Sequence, residues 1–136
     1  MTQKVRSILI IDDDTDILLA LKTSLELNNF KVFTAENTKD GLKIFDAEKP
    51  DAVATDLMME EMDSGFTLTY HIKKTEHGKK IPVILMTSAA SVTGFKFDAY
   101  TAEEREWLKC DALLNKPISV EDLIQRIDLY YEEKNT

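Results

Sequence analysis

The sequence has almost no cysteine and no long apolar run. Its one cysteine, Cys110, cannot form a disulfide within the chain. The first apolar run, which ends at Ile11, is too short for a signal peptide or for a membrane span. We therefore expect a cytoplasmic protein that does not associate with a membrane.

Positive charge is also scarce. The chain has 17 lysine and arginine residues against 25 aspartate and glutamate residues, which gives a formal net charge of -8. This balance disfavours non-specific attraction to nucleic acid or to an anionic membrane surface, because both carry the same sign of charge. We expect no direct nucleic-acid partner.

The length and composition are those of one ordinary globular unit. The chain has 136 residues, of which 43% are hydrophobic and 31% are charged. At this length, folding buries about two-thirds of the surface that the unfolded chain exposes, which is enough for one core. No internal repeat or low-complexity stretch divides the sequence. We expect a single domain over residues 1–136.

Apolar runs and helical patterns alternate along the chain. Five short runs predict strands, namely Ser7 to Ile11, Phe30 to Ala35, Ala52 to Asp56, Ile81 to Thr87 and Ala112 to Asn115, and the first of them is expected to be buried on both faces. Predicted helices begin at Thr15 or Asp16, at Thr38, after Gly65, at Thr101 and at Ser119. Because parallel neighbours need crossovers, the order predicts a doubly wound α/β fold. We expect a flavodoxin-like parallel sheet of five strands in the order 2-1-3-4-5, with helices on both faces.

Polar residues stand where the predicted strands end. Asp12 and Asp13 follow the first strand, Asp56 ends the third, Thr87 ends the fourth and Lys116 follows the fifth. In a sheet of this kind the ligand site lies at the carboxyl ends of the strands, so these side chains are expected to meet. Carboxylates without cysteine or histidine companions make a hard oxygen site, which suits Mg²⁺ better than zinc.

Four short motifs in this arrangement resemble those of a response-regulator receiver domain. They are Ile10-Ile11-Asp12-Asp13, Asp51-x-x-x-x-Asp56, Leu85-Met86-Thr87 and Lys116-Pro117, and the likeness covers nearly the whole chain. The resemblance implies that Asp56 is the phosphoacceptor and that Thr87 and Lys116 contact the phosphoryl group. It also implies that Asp12, Asp13, Asp56 and the backbone carbonyl of Met58 hold Mg²⁺.

The resemblance also implies a function in two-component signalling or a phosphorelay. The phosphoryl donor would be a phosphohistidine of a sensor histidine kinase or of a histidine phosphotransfer protein. The output would pass by protein contact to a downstream protein that the sequence does not identify. No enzymatic activity is expected beyond phosphorylation and dephosphorylation of the chain itself.

The sequence departs from the family pattern in three places. Glu60 and Ser64 stand where the family usually has proline and glycine after the phosphoacceptor, and Gly65 comes one residue late. Leu113 replaces an aromatic residue of the usual switch, and residues 91–100 form an atypical insertion. The extra charge of Glu60 and Glu61 would either strengthen metal binding or slow phosphoryl arrival, and the sequence leaves both alternatives open.

Two other functions compete with the switch. These departures also fit a binding module that keeps the receiver fold but works without phosphorylation. In addition, Asp12-x-Asp14, Thr87 and Lys116 resemble the motifs of haloacid-dehalogenase-type phosphohydrolases, in which the first aspartate is the nucleophile. That alternative leaves Asp56 without a role.

Overall fold

A computed structural model of the protein describes residues 6–57, 59, 64–87 and 111–134. The strands of these residues are β1 (Arg6–Ile11), β2 (Phe30–Ala35), β3 (Ala52–Asp56), β4 (Val83–Thr87) and β5 (Ala112–Asn115). Their α-helices are α1 (Thr15–Leu27), α2 (Thr38–Glu48), α3 (Ser64–Lys74) and α4 (Val120–Lys134). A short 3₁₀ helix, Gly78–Lys80, precedes β4. No described helix is both long enough and apolar enough to cross a lipid bilayer.

The five strands form one parallel sheet in the order β2-β1-β3-β4-β5. This confirms the predicted fold class and strand order. The fourth strand begins two residues later than predicted, at Val83, after Pro82. Proline has no backbone N–H to donate to a neighbouring strand, which explains the later start.

Alternate residues of the strands face two separate apolar layers. Ile8 and Ile10 of β1 pack with the buried leucines of α1 and with Leu123 and Ile127 of α4. Leu9 of the same strand packs on the opposite side, in the layer that contains residues of α2 and α3. The sheet is therefore covered by helices on both faces, as the apolar runs of the strands predicted.

Three helix starts differ from those expected. Helix α3 begins at Ser64, whereas the loop before it was expected to last to Gly65. Asp14, and not Thr15 or Asp16, is the N-cap of α1, and Asn37, and not Thr38, is the N-cap of α2. In α1 and α2 a carboxylate or amide oxygen of the preceding residue accepts backbone N–H groups of the first turn. The expected position was therefore one or two residues late. The helix predicted from Thr101 lies outside the described residues.

Candidate functional site

The carboxyl end of β1 places two aspartates at the edge of the sheet. Asp12 is fully buried, whereas Asp13 is exposed. The backbone N–H of Asp12 donates to the carbonyl of Ala35 at the end of β2, with an N–O distance of 3.1 Å. This bond continues the pairing of the two strands by one residue, so the backbone of Asp12 is fixed at the point where the strands end.

The ends of β3, β4 and β5 bring the other predicted residues to the same edge. Asp56 is 7% exposed and pairs in register with Met86, the residue before Thr87. Thr87 is buried, and its carbonyl accepts a hydrogen bond from the backbone N–H of Lys116 at 2.7 Å. Asp56, Thr87 and Lys116 are thus positioned by three neighbouring strands of one sheet.

The side chains of the acidic residues converge. Asp12, Asp13 and Asp56 each offer a carboxylate oxygen, and these oxygens lie within 4.8 Å of one another. The Nζ atom of Lys116 lies 2.7 Å from Oδ2 of Asp12 and 3.2 Å from Oδ1 of Asp56. Three carboxylates beside one ammonium group leave an excess of negative charge, which favours a cation.

The donor set fits a hard divalent cation. Oδ1 of Asp12 accepts the backbone N–H of Asp14 at 2.9 Å. Oδ2 is buried, and its polar partner among the described residues is the Nζ atom of Lys116 at 2.7 Å. The three acidic side chains offer only carboxylate oxygens, and one of these oxygens is already buried against a cation, so the donor set is suited to Mg²⁺.

Asp14 has a different structural role from Asp12 and Asp13, which belong to the acidic cluster. Its Oδ1 atom accepts the backbone N–H groups of Asp16 at 3.0 Å and Ile17 at 3.3 Å, which caps α1. This use of the carboxylate weakens the phosphohydrolase alternative, in which Asp14 would act on a substrate beside Asp12. Sequence reasoning missed that the N–H of Asp14 orients Asp12. The signal was available, because an aspartate readily binds the backbone N–H two residues ahead of it.

Charge and burial shift the acid–base properties of two site residues. Burial raises the pKa of the Asp56 carboxyl, and the negative charge of Asp12 raises it further, while Lys116 opposes both. For Lys116, burial alone would lower the pKa, but the contacts with Asp12 and Asp56 prevail and raise it. Lys116 is therefore held as an ammonium group. The carboxylate of Asp56 is more basic than an ordinary aspartate, which makes it a better nucleophile when ionised.

Some predicted features lie outside the described residues. These are the carbonyl of Met58, the charge of Glu60 and the insertion at 91–100. Leu113 is described, and it lies buried in β5 opposite Leu85 of β4. The peptide bond between Lys116 and Pro117 is cis.

Similarity to known proteins agrees with this geometry. The family model described as "Response regulator receiver domain" matches residues 8–128. Transcriptional regulatory protein GlrR of Escherichia coli K12 is 35% identical over 128 residues, which cover 94% of this chain and 27% of GlrR. Response regulator MprA of Mycolicibacterium vanbaalenii is 29% identical over 124 residues, which cover 88% of this chain and 48% of MprA. The chain thus spans less than half of the length of either relative.

Solved structures show the same architecture. A response regulator receiver domain protein from Clostridium thermocellum has a TM-score of 0.77 and 29% identity, and the match covers 96% of this chain and 98% of that one. The chemotaxis response regulator CheY4 of Vibrio cholerae has a TM-score of 0.74 at 18% identity, covering 93% of this chain and 99% of that one. The second likeness shows the fold alone. Since the family model spans most of the sequence, the chain belongs to the response regulator receiver domain family.

Proposed function

We propose that the protein is a phosphorylation-dependent switch in which Asp56 accepts a phosphoryl group from a phosphohistidine donor. Membership of the receiver family is consistent with such a switch in two-component signalling. One observation carries the proposal for this chain. The nearly buried carboxylate of Asp56 lies 3.2 Å from Nζ of Lys116 and beside the carboxylates of Asp12 and Asp13.

The proposed reaction uses each group of the cluster. A carboxylate oxygen of Asp56 forms a bond to phosphorus while the bond from phosphorus to the imidazole nitrogen breaks, and the imidazole keeps the electron pair. Lys116 offsets the charge of the phosphoryl oxygens, and the hydroxyl of Thr87 donates a hydrogen bond to one of them. Receiver domains generally bind Mg²⁺, which supplies further positive charge when it is bound by Asp12, Asp13, Asp56 and the carbonyl of Met58.

The partners follow from this chemistry. The donor is a sensor histidine kinase or a histidine phosphotransfer protein, and the phosphorylated chain signals through contact with another protein. Ordering of the Thr87 hydroxyl by the phosphoryl group changes the preferred conformation of the loop that follows β4. The chain performs no reaction on other substrates. GlrR is named a transcriptional regulatory protein, so we confine the expectation of no nucleic-acid contact to the 136 residues of this chain.

A small-molecule phosphodonor tests the proposal directly. We expect that acetyl phosphate with Mg²⁺ adds one phosphoryl group to the chain, as seen by intact mass, and that peptide mapping after reduction of the acyl phosphate places it on Asp56. Asp56→Asn abolishes the adduct. Asp46→Asn, which removes an exposed carboxylate of α2, leaves it unchanged.

The same experiment separates the competing functions. Continuous release of inorganic phosphate that requires Asp12 but not Asp56 would identify a phosphohydrolase. Absence of any adduct or turnover, with the chain folded and Mg²⁺ present, would identify a binding module that works without phosphorylation. Either result overturns the switch.

A further inference from the structure

Helix α4 carries polar and apolar side chains on a side that lies outside the phosphorylation site and is only partly packed against the rest of the fold. Together with Asn28 at the end of α1, they line a surface depression that we call the α4 groove. Its lining residues on the helix are Glu121, Ile124, Gln125, Asp128, Leu129 and Glu132.

The acidic residues of the groove are spaced to lie on one helical face. Glu121, Asp128 and Glu132 are separated by seven and four positions, and such positions fall on the same side of an α-helix. From the first to the last, the face extends for about 16 Å along the helix, at 1.5 Å per residue. This length corresponds to three turns, enough for a second helix to lie alongside.

Apolar surface accompanies these carboxylates. Leu129 is 41% exposed within the groove, and Leu27, the residue before Asn28, is 81% exposed. Ile124 is half-buried in the groove wall. Exposed leucines beside charged residues are the surface that an amphipathic helix buries on binding.

The charge of the groove is left largely uncompensated. Asp128 forms an ion pair with Arg6. Glu121 accepts a hydrogen bond from the Ser119 hydroxyl, and neither it nor Glu132 forms an ion pair with another described residue. No lysine or arginine is among the residues that line the groove.

We propose that the α4 groove binds a basic amphipathic helix of a partner protein. Lysine or arginine side chains of that helix would lie against Glu121 and Glu132, and an apolar side chain would pack on Leu129 and Ile124. A second copy of this chain fits poorly, because the net charge of -8 makes two copies repel each other. The groove is formed without phosphorylation, so the proposal does not rest on the function proposed above.

Two designed peptides provide the probes. The first is a helical lysine–leucine peptide with its leucines on one face, and the second has the same composition with the leucines dispersed around the helix. We expect the first to bind the full chain at low ionic strength and to shift the amide resonances of Gln125, Asp128 and Leu129 in an isotope-labelled sample. The dispersed peptide binds at least about fivefold more weakly, because it cannot bury its leucines.

Paired variants separate the groove from the overall negative charge. Glu121→Gln combined with Glu132→Gln is expected to weaken binding by about fivefold to tenfold, the scale of two partly exposed charge contacts. Asp46→Asn combined with Glu48→Gln removes the same charge from α2 and leaves binding within about twofold. Leu129→Ser weakens binding, whereas Leu19→Ser, at an exposed leucine of α1, does not.

Several results would overturn the proposal. Equal weakening by the α4 pair and the α2 pair would show that the peptide responds to net charge alone. Resonance shifts centred elsewhere would place the binding surface elsewhere, and concentration-dependent dimerisation through the groove would identify a second copy as its occupant. The Asp56→Asn variant should bind the helical peptide as the native chain does, so failure of the phosphorylation switch leaves this test unaffected.

Discussion

The Nζ atom of Lys116, on the residue after β5, lies 2.7 Å from Oδ2 of Asp12, on the residue after β1. The carboxylate of Asp12 is fully buried and the lysine side chain is 16% exposed, so this ion pair is shielded from water. The same Nζ atom also contacts Asp56. One lysine therefore contacts two of the three clustered carboxylates, and its single positive charge offsets only part of their negative charge.

Loss of this lysine should destabilise the metal-free chain. Lys116→Met keeps most of the length of the side chain but leaves the buried carboxylate of Asp12 without its cation, at an expected cost of about 3 kcal/mol in the free energy of unfolding. Urea denaturation in the presence of a chelator measures this loss. We expect added Mg²⁺ to restore part of it, because a bound cation replaces the missing positive charge.

Lys79→Met is the matched control for this substitution. Lys79 is exposed, and its Nζ atom lies 4.0 Å from Oε1 of Glu76. An exposed ion pair of this kind contributes less than about 1 kcal/mol to the free energy of unfolding. The account of the ion pair is wrong if the two variants lose the same stability, or if Mg²⁺ has no effect on Lys116→Met.

Removal of Asp56 should have the opposite effect on stability. Burial and the charge of Asp12 raise the pKa of the Asp56 carboxyl despite Lys116, so its ionised form is disfavoured in the folded chain. Asp56→Asn is expected to increase the free energy of unfolding at neutral pH by about 1 kcal/mol, the scale of one like-charge contact. The gain should shrink when Mg²⁺ is added, because the native cluster is then neutralised. A variant that is less stable than the native chain in chelator would contradict this.

The sheet could be predicted from the sequence because its strands are local features. Each of the five strands is a short apolar run bounded by polar residues, and the crossover rule then limits how parallel strands connect. The convergence of Asp12, Asp56 and Lys116 followed from the same logic, since parallel strands end at one edge. The double contact of Lys116 did not follow, because a sequence pattern gives no information on which carboxylate a long side chain reaches.

The helix caps show a different limit. In the run from Asp12 to Asp16, several neighbouring residues have similar preferences for the capping position, so composition does not select among them. The choice of Asp14 depends on where the strand ends and the backbone turns. Similarly, Asn37 precedes Thr38, and both are suitable residues for a cap. In both helices the tertiary structure determines which residue is the N-cap.

Contacts at the amino end of the sheet were not predicted at all. The carboxylate of Asp51 accepts hydrogen bonds from the backbone N–H and the hydroxyl of Ser7, at 2.9 and 3.2 Å, and the Tyr131 hydroxyl donates to the carbonyl of Asp51. These residues are far apart in the sequence, and the motif that contains Asp51 does not indicate that its side chain binds Ser7 or that its carbonyl accepts from Tyr131.

Asp14 caps α1 and Asp13 belongs to the acidic cluster, so substitutions at the two positions should affect different properties. Asp14→Ala removes the N-cap of α1 and should lower the free energy of unfolding by about 1 kcal/mol, whereas Asp14→Ser keeps a capping oxygen and loses less. Both should retain an adduct on Asp56. Asp13→Ala should instead weaken Mg²⁺ binding, measured by titration calorimetry, with little change in stability because Asp13 is exposed. Reversed phenotypes would mean that Asp14 is the metal ligand.

Ionisation of Tyr131 should lower the free energy of unfolding at high pH. Burial raises the pKa of its phenol to about 12 from an ordinary value of 10.0, and the charges of Asp51 and Tyr130 act in the same direction against Arg6. The unfolded chain therefore releases this proton first, so the stabilisation is complete below pH 10.0 and is lost as the pH rises to about 12. The difference in unfolding free energy between the native chain and Tyr131→Phe should fall across this interval.

At neutral pH the same substitution should cost about 1 kcal/mol, because the hydrogen bond to Asp51 is lost. Tyr70→Phe, at an exposed tyrosine of α3, is the control for removal of a hydroxyl group and should change neither quantity. Denaturant titrations of the three proteins at a series of alkaline pH values measure both effects, and other groups that titrate in this range cancel in the differences. Parallel stability curves for the native chain and Tyr131→Phe would show that the phenol proton does not stabilise the fold.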